Sequence, residues 1–287
     1  MPLDSIAEIL ASCSERNLAF WQVVLEADVE ERQVSAEASF EKMRATWRAM
    51  LDSAESYDGG LRSVSGLSGG DGELMLRYAA GGAALGGGYI SEVIATALCV
   101  GESNACMRKI VAAPTAGACG VLPAVLVPLY RRGEREEDIL RALYTAAGIG
   151  AVINSRASIS GAAGGCQAEI GSASAMAAGA LAQLRGGGPE QTANALAMAL
   201  KNLMGLICDP VAGLVEVPCV KRNVIGAVNA VSCADMALAG ITSRIPADEV
   251  IDCMGIVGER LPREFRETAR GGLAATPTGR AAWKKLK

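Results

Sequence analysis

The stretch Ser158-Ile-Ser-Gly-Ala-Ala-Gly-Gly-Cys166-Gln-Ala-Glu-Ile-Gly171, continued by Ser172-Ala-Ser-Ala-Met-Ala-Ala-Gly-Ala-Leu-Ala-Gln-Leu184, decides the fold reading. A run of glycines and hydroxyls ends on a cysteine, and a segment built almost wholly of small side chains follows. Alanine loses no side-chain entropy on entering a helix, so the second half predicts a helix over 172–184. Outward from it the same texture recurs. Alanine-rich segments alternate with glycine-rich turns at 66–72, 86–88, 114–120, 158–165, 209–213 and 271–279. No segment alternates apolar and polar residues convincingly enough for a strand, and there is no regular repeat. With 34 glycines and 4% aromatic residues in a chain of 287, the core is assembled from small side chains, so backbones approach closely. The fold class is therefore mostly all-α: a single globular helical domain, 1–287, whose polar, glycine-rich loops converge on one site.

Residues 1–56 differ in texture from the body, 57–287. Phe40, Met43, Trp47, Met50, Leu51 and Ala54 recur at three- and four-residue spacing, behind Ser35 as a fitting N-cap. This reads as a pair of amphipathic helices carrying Trp21 and Trp47, packed on the body or on a partner. Their exposed face, near the two tryptophans, is the expected docking surface.

The net charge of −4 argues against a nucleic-acid surface, since phosphate binding needs an excess of Lys and Arg. Lys284, Lys285 and Lys287 read as a solvated tail. Asp4, Glu8, Glu15 and Arg16 interrupt the N-terminus before an apolar stretch of export-signal length. A membrane span needs about 20 unbroken apolar residues. The best candidate, 111–130, contains Pro114, Pro123 and Pro128, and 144–165 is broken by Asn154, Ser155 and Arg156. The expectation is a soluble, cytoplasmic protein, without nucleic acid or membrane as partner.

Nine cysteines stand at 13, 99, 106, 119, 166, 208, 219, 233 and 253, and there is no histidine. An odd count in a chain of this size, with no export signal, argues against a disulfide framework. Most of these thiols read as small buried hydrophobes. Cys166 is different in position. A cysteine at a helix N-terminus has its thiolate favoured by the helix dipole and free N–H groups. Taken alone, the segment is still better read as a tight packing site whose gap Cys166 fills. In Cys208-Asp-Pro-Val-Ala-Gly-Leu-Val-Glu-Val-Pro-Cys219, two cysteines flank a ten-residue loop stiffened by Pro210 and Pro218. The spacing does not suit a zinc ribbon or the tight run of bacterial ferredoxins. Three thiolates from two loops would suit a cluster that leaves one iron without a protein ligand. Cys119 is a possible fourth thiolate, with a buried inert thiol as the safer reading.

Two further loops, 65–71 and 113–120, are rich in glycine and hydroxyls. Such loops offer backbone N–H nests to a carboxylate. They serve equally as turns with caps. Asp71 reads either as a cap or as a contact for a substrate ammonium.

The segments SGLSGGD (65–71), VAAPTAGACGVLPAVL (111–126), SISGAAGGCQAEIGSASAMAA (158–178), CDPVAGLVEVPCVKRN (208–223) and GGLAATPTG (271–279) together resemble the alpha chain of iron–sulfur-dependent L-serine dehydratase. Five motifs in order, over about residues 60–280, make a chance match untenable. The resemblance implies that Cys166, Cys208 and Cys219 hold a 4Fe-4S cluster with one iron lacking a protein ligand. It implies conversion of L-serine to pyruvate and ammonium without pyridoxal phosphate. It also implies a beta chain as partner, because this sequence lacks the regulatory-type domain of the single-chain members. A homodimer through the alpha chain is the other assembly to consider.

Within that reading, Ser65, Ser68, Asp71, Thr115, Ser158 and Ser160 are the expected substrate contacts. No catalytic base is assigned: a carboxylate, lysine, serine or thiolate of this chain, or a group of the partner, has to take the α-proton. Threonine dehydration and cysteine desulfidation are the alternatives within the family. Pyridoxal-phosphate chemistry needs a Schiff-base lysine beside a phosphate loop. None of Lys109, Lys201 and Lys221 sits in such a motif. A non-enzymatic iron–sulfur protein is the remaining alternative.

Overall fold

Long alanine-rich segments punctuated by glycine give a computed structural model, describing residues 3–286, with thirteen α-helices and no strand among the described residues. The N-terminal segment holds α1 (Ile6–Arg16), α2 (Phe20–Arg32) and α3 (Ala36–Glu55), three helices rather than a pair. Ser35 caps α3 as the sequence predicts, its Oγ accepting from the Ala38 N–H at 3.2 Å. The body continues with α4 (Asp71–Ala80), α5 (Gly87–Ala105), α6 (Val121–Arg131), α7 (Glu136–Arg156) and the single turn α8 (Gly161–Gly164). It ends with α9 (Ser172–Leu184), α10 (Pro189–Asn202), α11 (Cys219–Leu238), α12 (Ala247–Arg260) and α13 (Pro277–Lys285). The bounds of α9 are those the alanine content predicts. A π-helical turn, Gln167–Gly171, leads into it.

One apolar core runs from α1 through α12, and α9 lies at its centre, packed against α6, α7, α10 and α11. Every residue of α9 from Ser172 to Ala182 is buried, which only side chains this small allow. The close approach is literal at two glycines. A Cβ on Gly179 would stand 2.3 Å from Ile149 Cδ1, and one on Gly148 would stand 2.3 Å from Val24 Cγ2. Glycine is what lets α9 seat on α7, and α7 on α2.

The tryptophans do not form a docking face. Trp47 is fully buried, edge-on to Tyr130 at 5.5 Å. Trp21 packs edge-on to Phe40 at 6.1 Å, under the Arg141 guanidinium at 5.2 Å. The amphipathic spacing was legible, but it could not say that its apolar stripe faces the body. Lys284 and Lys285 are exposed, as a solvated tail requires, but they form the last turn of α13. Lys287 lies outside the described residues. No helix among the described residues is long and apolar enough to cross a membrane.

Candidate functional site

Cys166, Cys208 and Cys219 come from three different local settings and meet. Cys166 precedes the π-turn that opens α9, where the backbone leaves Gly165 at φ 76°, a conformation that favours glycine. Cys219 is the first residue of α11, directly after a cis peptide at Val217–Pro218. Cys208 lies in extended chain clamped by the C-terminal segment: its N–H donates to Phe265 O at 2.8 Å, and its carbonyl accepts from Glu267 N at 2.9 Å. All three thiols are buried.

Their electrostatics report their proximity. Burial pushes the Cys166 thiol up to about 11 and the Cys219 thiol up to about 12. The Cys208 thiol is raised further, by burial first and then by the neighbouring charges of Cys166, Glu169 and Cys219. Neutral thiols are thus favoured in the absence of a cation. Among the described residues no three Cys, Asp or Glu side chains are gathered tightly enough for a single metal ion. A cubane makes a different demand, because each sulfur binds a different iron and the ligands stand farther apart. Three buried thiols beside a cation, whose thiolates would repel one another until iron neutralised them, are a donor set that fits an iron–sulfur cluster.

The cation is Arg222, one turn into α11. Its positive charge lies near both Cys166 and Cys219 and opposes the effect of burial on each thiol. Glu169, three residues after Cys166, is the facing carboxylate. It accepts from Thr115 Oγ1 at 2.7 Å and from Cys208 Sγ at 3.8 Å. Burial, first of all, raises its pKa. Asn223 fastens the loops together: its Oδ1 accepts from Gly120 N at 2.8 Å, while Nδ2 donates to Gly117 O and Cys219 O, each at 2.9 Å.

The expected substrate contacts divide. Thr115 reaches the thiol site through Glu169. Ser158 Oγ accepts from Ser160 N at 3.1 Å, within its own turn. The 63–72 loop is held by two buried carboxylates instead of offering a vacant nest. Glu102 accepts from Gly69 N at 3.2 Å, Asp71 N at 2.9 Å, Gly72 N at 3.1 Å and Tyr57 Oη at 2.5 Å. Glu216 accepts from Ser63 Oγ at 2.6 Å and also from Ser65 Oγ. Ser68 is buried, its N–H donating to Ser63 Oγ at 3.2 Å. Asp71 does not cap α4, a place taken by Gly70, and its carboxylate pairs with Lys221 at 2.8 Å.

Cys119 is buried against Val100 O, and its thiol is pushed up to about 12 by burial alone among raising effects. It behaves as a packed thiol. Glu169, Arg222, Asp209, Glu102 and Glu216 went unassigned in the sequence. A lone charge inside a run of small residues was the available signal, clearest for Glu169.

The serine dehydratase alpha chain family model matches residues 15–274. The chain is 47% identical over 283 residues to a probable L-serine dehydratase alpha chain of Bacillus subtilis, covering 98% of this chain and 94% of that one. It is 40% identical to the L-serine dehydratase alpha chain of Peptoniphilus asaccharolyticus, covering 96% of each. Against L-serine dehydratase TdcG of Escherichia coli the identity is 48% over 181 residues, which is 62% of this chain and 40% of that longer protein. The chain belongs to the serine dehydratase alpha chain family.

Proposed function

We propose that this chain is the catalytic subunit of an iron–sulfur L-serine dehydratase, a lyase that converts L-serine to pyruvate and ammonium. The observation that carries the reading is the meeting of Cys166, Cys208 and Cys219 beside Arg222 and Glu169, in a member of this family. The three cysteines would hold a 4Fe-4S cluster, with one iron left without a protein ligand. When bound, such a cluster supplies Lewis acidity toward the departing hydroxyl. The chain's own part is to hold the three sulfurs in a dry site, to place the Glu169 carboxylate against them, and to fix both glycine loops through Asn223. With no imidazole in this chain, Glu169 and side chains of a partner are the candidates for accepting the α-proton.

The relatives that match over nearly their whole length are called alpha chains, and TdcG is a longer single chain. That supports a separate beta chain as partner, needed for full activity. The test is anaerobic reconstitution with iron and sulfide, with and without the partner, followed by pyruvate and sulfide assays. Visible iron–sulfur absorption with pyruvate formed from serine is expected. Sulfide released from cysteine in preference would favour the desulfidase reading. Full turnover by metal-free protein would end the proposal.

A further inference from the structure

The Arg222 guanidinium is 15% exposed, and its ion-pair partner Asp209 is 3% exposed. An ion pair so buried is costly to desolvate and is a weak reason in itself for stability. Its value lies in where it points. Nη1 donates to Ile207 O at 2.7 Å and Nη2 to Asp209 Oδ1 at 2.9 Å, and the charge lies near enough to Cys166 to favour its thiolate. Ile207 and Asp209 flank Cys208, and Arg222 itself sits three residues after Cys219. One planar cation therefore ties the Cys208 segment to the helix that Cys219 opens.

Asp209 is fixed from behind. Its Oδ2 accepts from Leu273 N at 2.7 Å, and a Cβ on Gly272 would stand 2.3 Å from the same oxygen. The motif around residues 271–279 thus braces Asp209, Asp209 braces Arg222, and Arg222 holds the Cys208 segment through Ile207 O. A lysine could not replace it, having a point charge instead of a fork of donors in fixed geometry.

We propose that Arg222 is the positioning residue of the cluster, tying the Cys208 segment to the helix that Cys219 opens so that iron is retained. The proposal rests on the cluster reading above. Hydrogen bonds and charge around a ligand sulfur are general determinants of cluster behaviour, and removing such outer partners from metal sites typically costs 10–100-fold.

The test compares Arg222→Gln, Arg222→Lys and Asp209→Asn, each assembled with its partner chain and reconstituted anaerobically. The readout is the rate at which an iron chelator bleaches the visible absorption. Both Arg222→Gln and Asp209→Asn break the ion pair, but only the first removes the donor to Ile207 O and the positive charge beside the cysteines. Iron should leave Arg222→Gln about tenfold faster than wild type or more, with Arg222→Lys intermediate and Asp209→Asn clearly slower than Arg222→Gln. Equal rates in Arg222→Gln and Asp209→Asn would reduce Arg222 to a structural ion pair and overturn the proposal. So would wild-type retention in Arg222→Gln, including the case where only the serine KM rises. If Arg222→Gln does not fold, Arg222→Lys against Asp209→Asn makes the same comparison. A wild-type protein that takes up no cluster removes this inference together with the cluster reading, whereas a loaded wild type with an indifferent Arg222→Gln removes this inference alone.

Discussion

Glu169 Oε2 lies 3.8 Å from Cys208 Sγ, and Gly161 faces both: a Cβ there would stand 2.6 Å from the carboxylate oxygen and 3.1 Å from the sulfur. Gly161→Ala must therefore move one of them. Overpacking of this kind costs about 1–3 kcal/mol, and here the strain falls on a cysteine proposed to hold the cluster. The expected result is a folded, helical protein with markedly less iron after reconstitution. Iron content measured beside far-ultraviolet circular dichroism checks it, and a wild-type iron content would show that the loop yields without disturbing Cys208.

Cys166→Ser, Cys208→Ser and Cys219→Ser should each abolish both the iron–sulfur absorption and the activity, because a hydroxyl is a poor substitute for thiolate at iron. Cys13→Ser, Cys99→Ser and Cys233→Ser, at buried sites, should cost packing energy on the order of 1 kcal/mol. Cys253 is exposed, so Cys253→Ser should be silent. Absorption spectra and serine turnover decide, and a Cys208→Ser protein with a normal cluster would sink the ligand assignment.

Glu102 receives three backbone N–H groups and the Tyr57 hydroxyl at the start of α4, itself 1% exposed. Glu102→Gln turns an amide NH2 toward donors. Each group left unsatisfied costs about 1–3 kcal/mol, whereas Tyr57→Phe removes a single bond worth roughly 0.5–1.5 kcal/mol. Urea melts should rank Glu102→Gln as the more destabilised of the two. The reverse order would mean that the 63–72 loop is held chiefly from elsewhere.

The cluster-free protein should lose stability in alkali. Buried Cys99 and Cys119 are pushed from 9.0 up to about 12, and Cys233 up to about 11. The unfolded chain releases these protons from pH 9 upward while the folded chain keeps them. Stability is therefore fully present below pH 9 and falls as pH rises toward 12. For Cys119, buried throughout, the slope is about 1.4 kcal/mol per pH unit. Urea midpoints measured between pH 8 and 11 under reductant should fall, and less steeply in Cys119→Ala. A flat profile would show that the buried thiols ionise without opening the fold.

The helical class was legible in the alanine and glycine content, because propensity and small-residue packing are properties of short segments. The Ser35 cap and the extent of α9 follow from the same local rules. The three cysteines were legible through their motifs, and spacing alone left them ambiguous. Periodicity showed that α3 has an apolar stripe, but which body it meets is a matter of what packs opposite, and Trp47 proved to be core. Glu169, Arg222 and Glu102 were decided by the tertiary structure alone. Their roles come from Thr115, 54 residues from Glu169, from Ile207 and Asp209, 15 and 13 residues from Arg222, and from the Tyr57–Gly72 segment, 30–45 residues from Glu102. A buried charge acquires its meaning from the donors, thiols and low dielectric that folding brings around it, and none of these is adjacent to it along the chain.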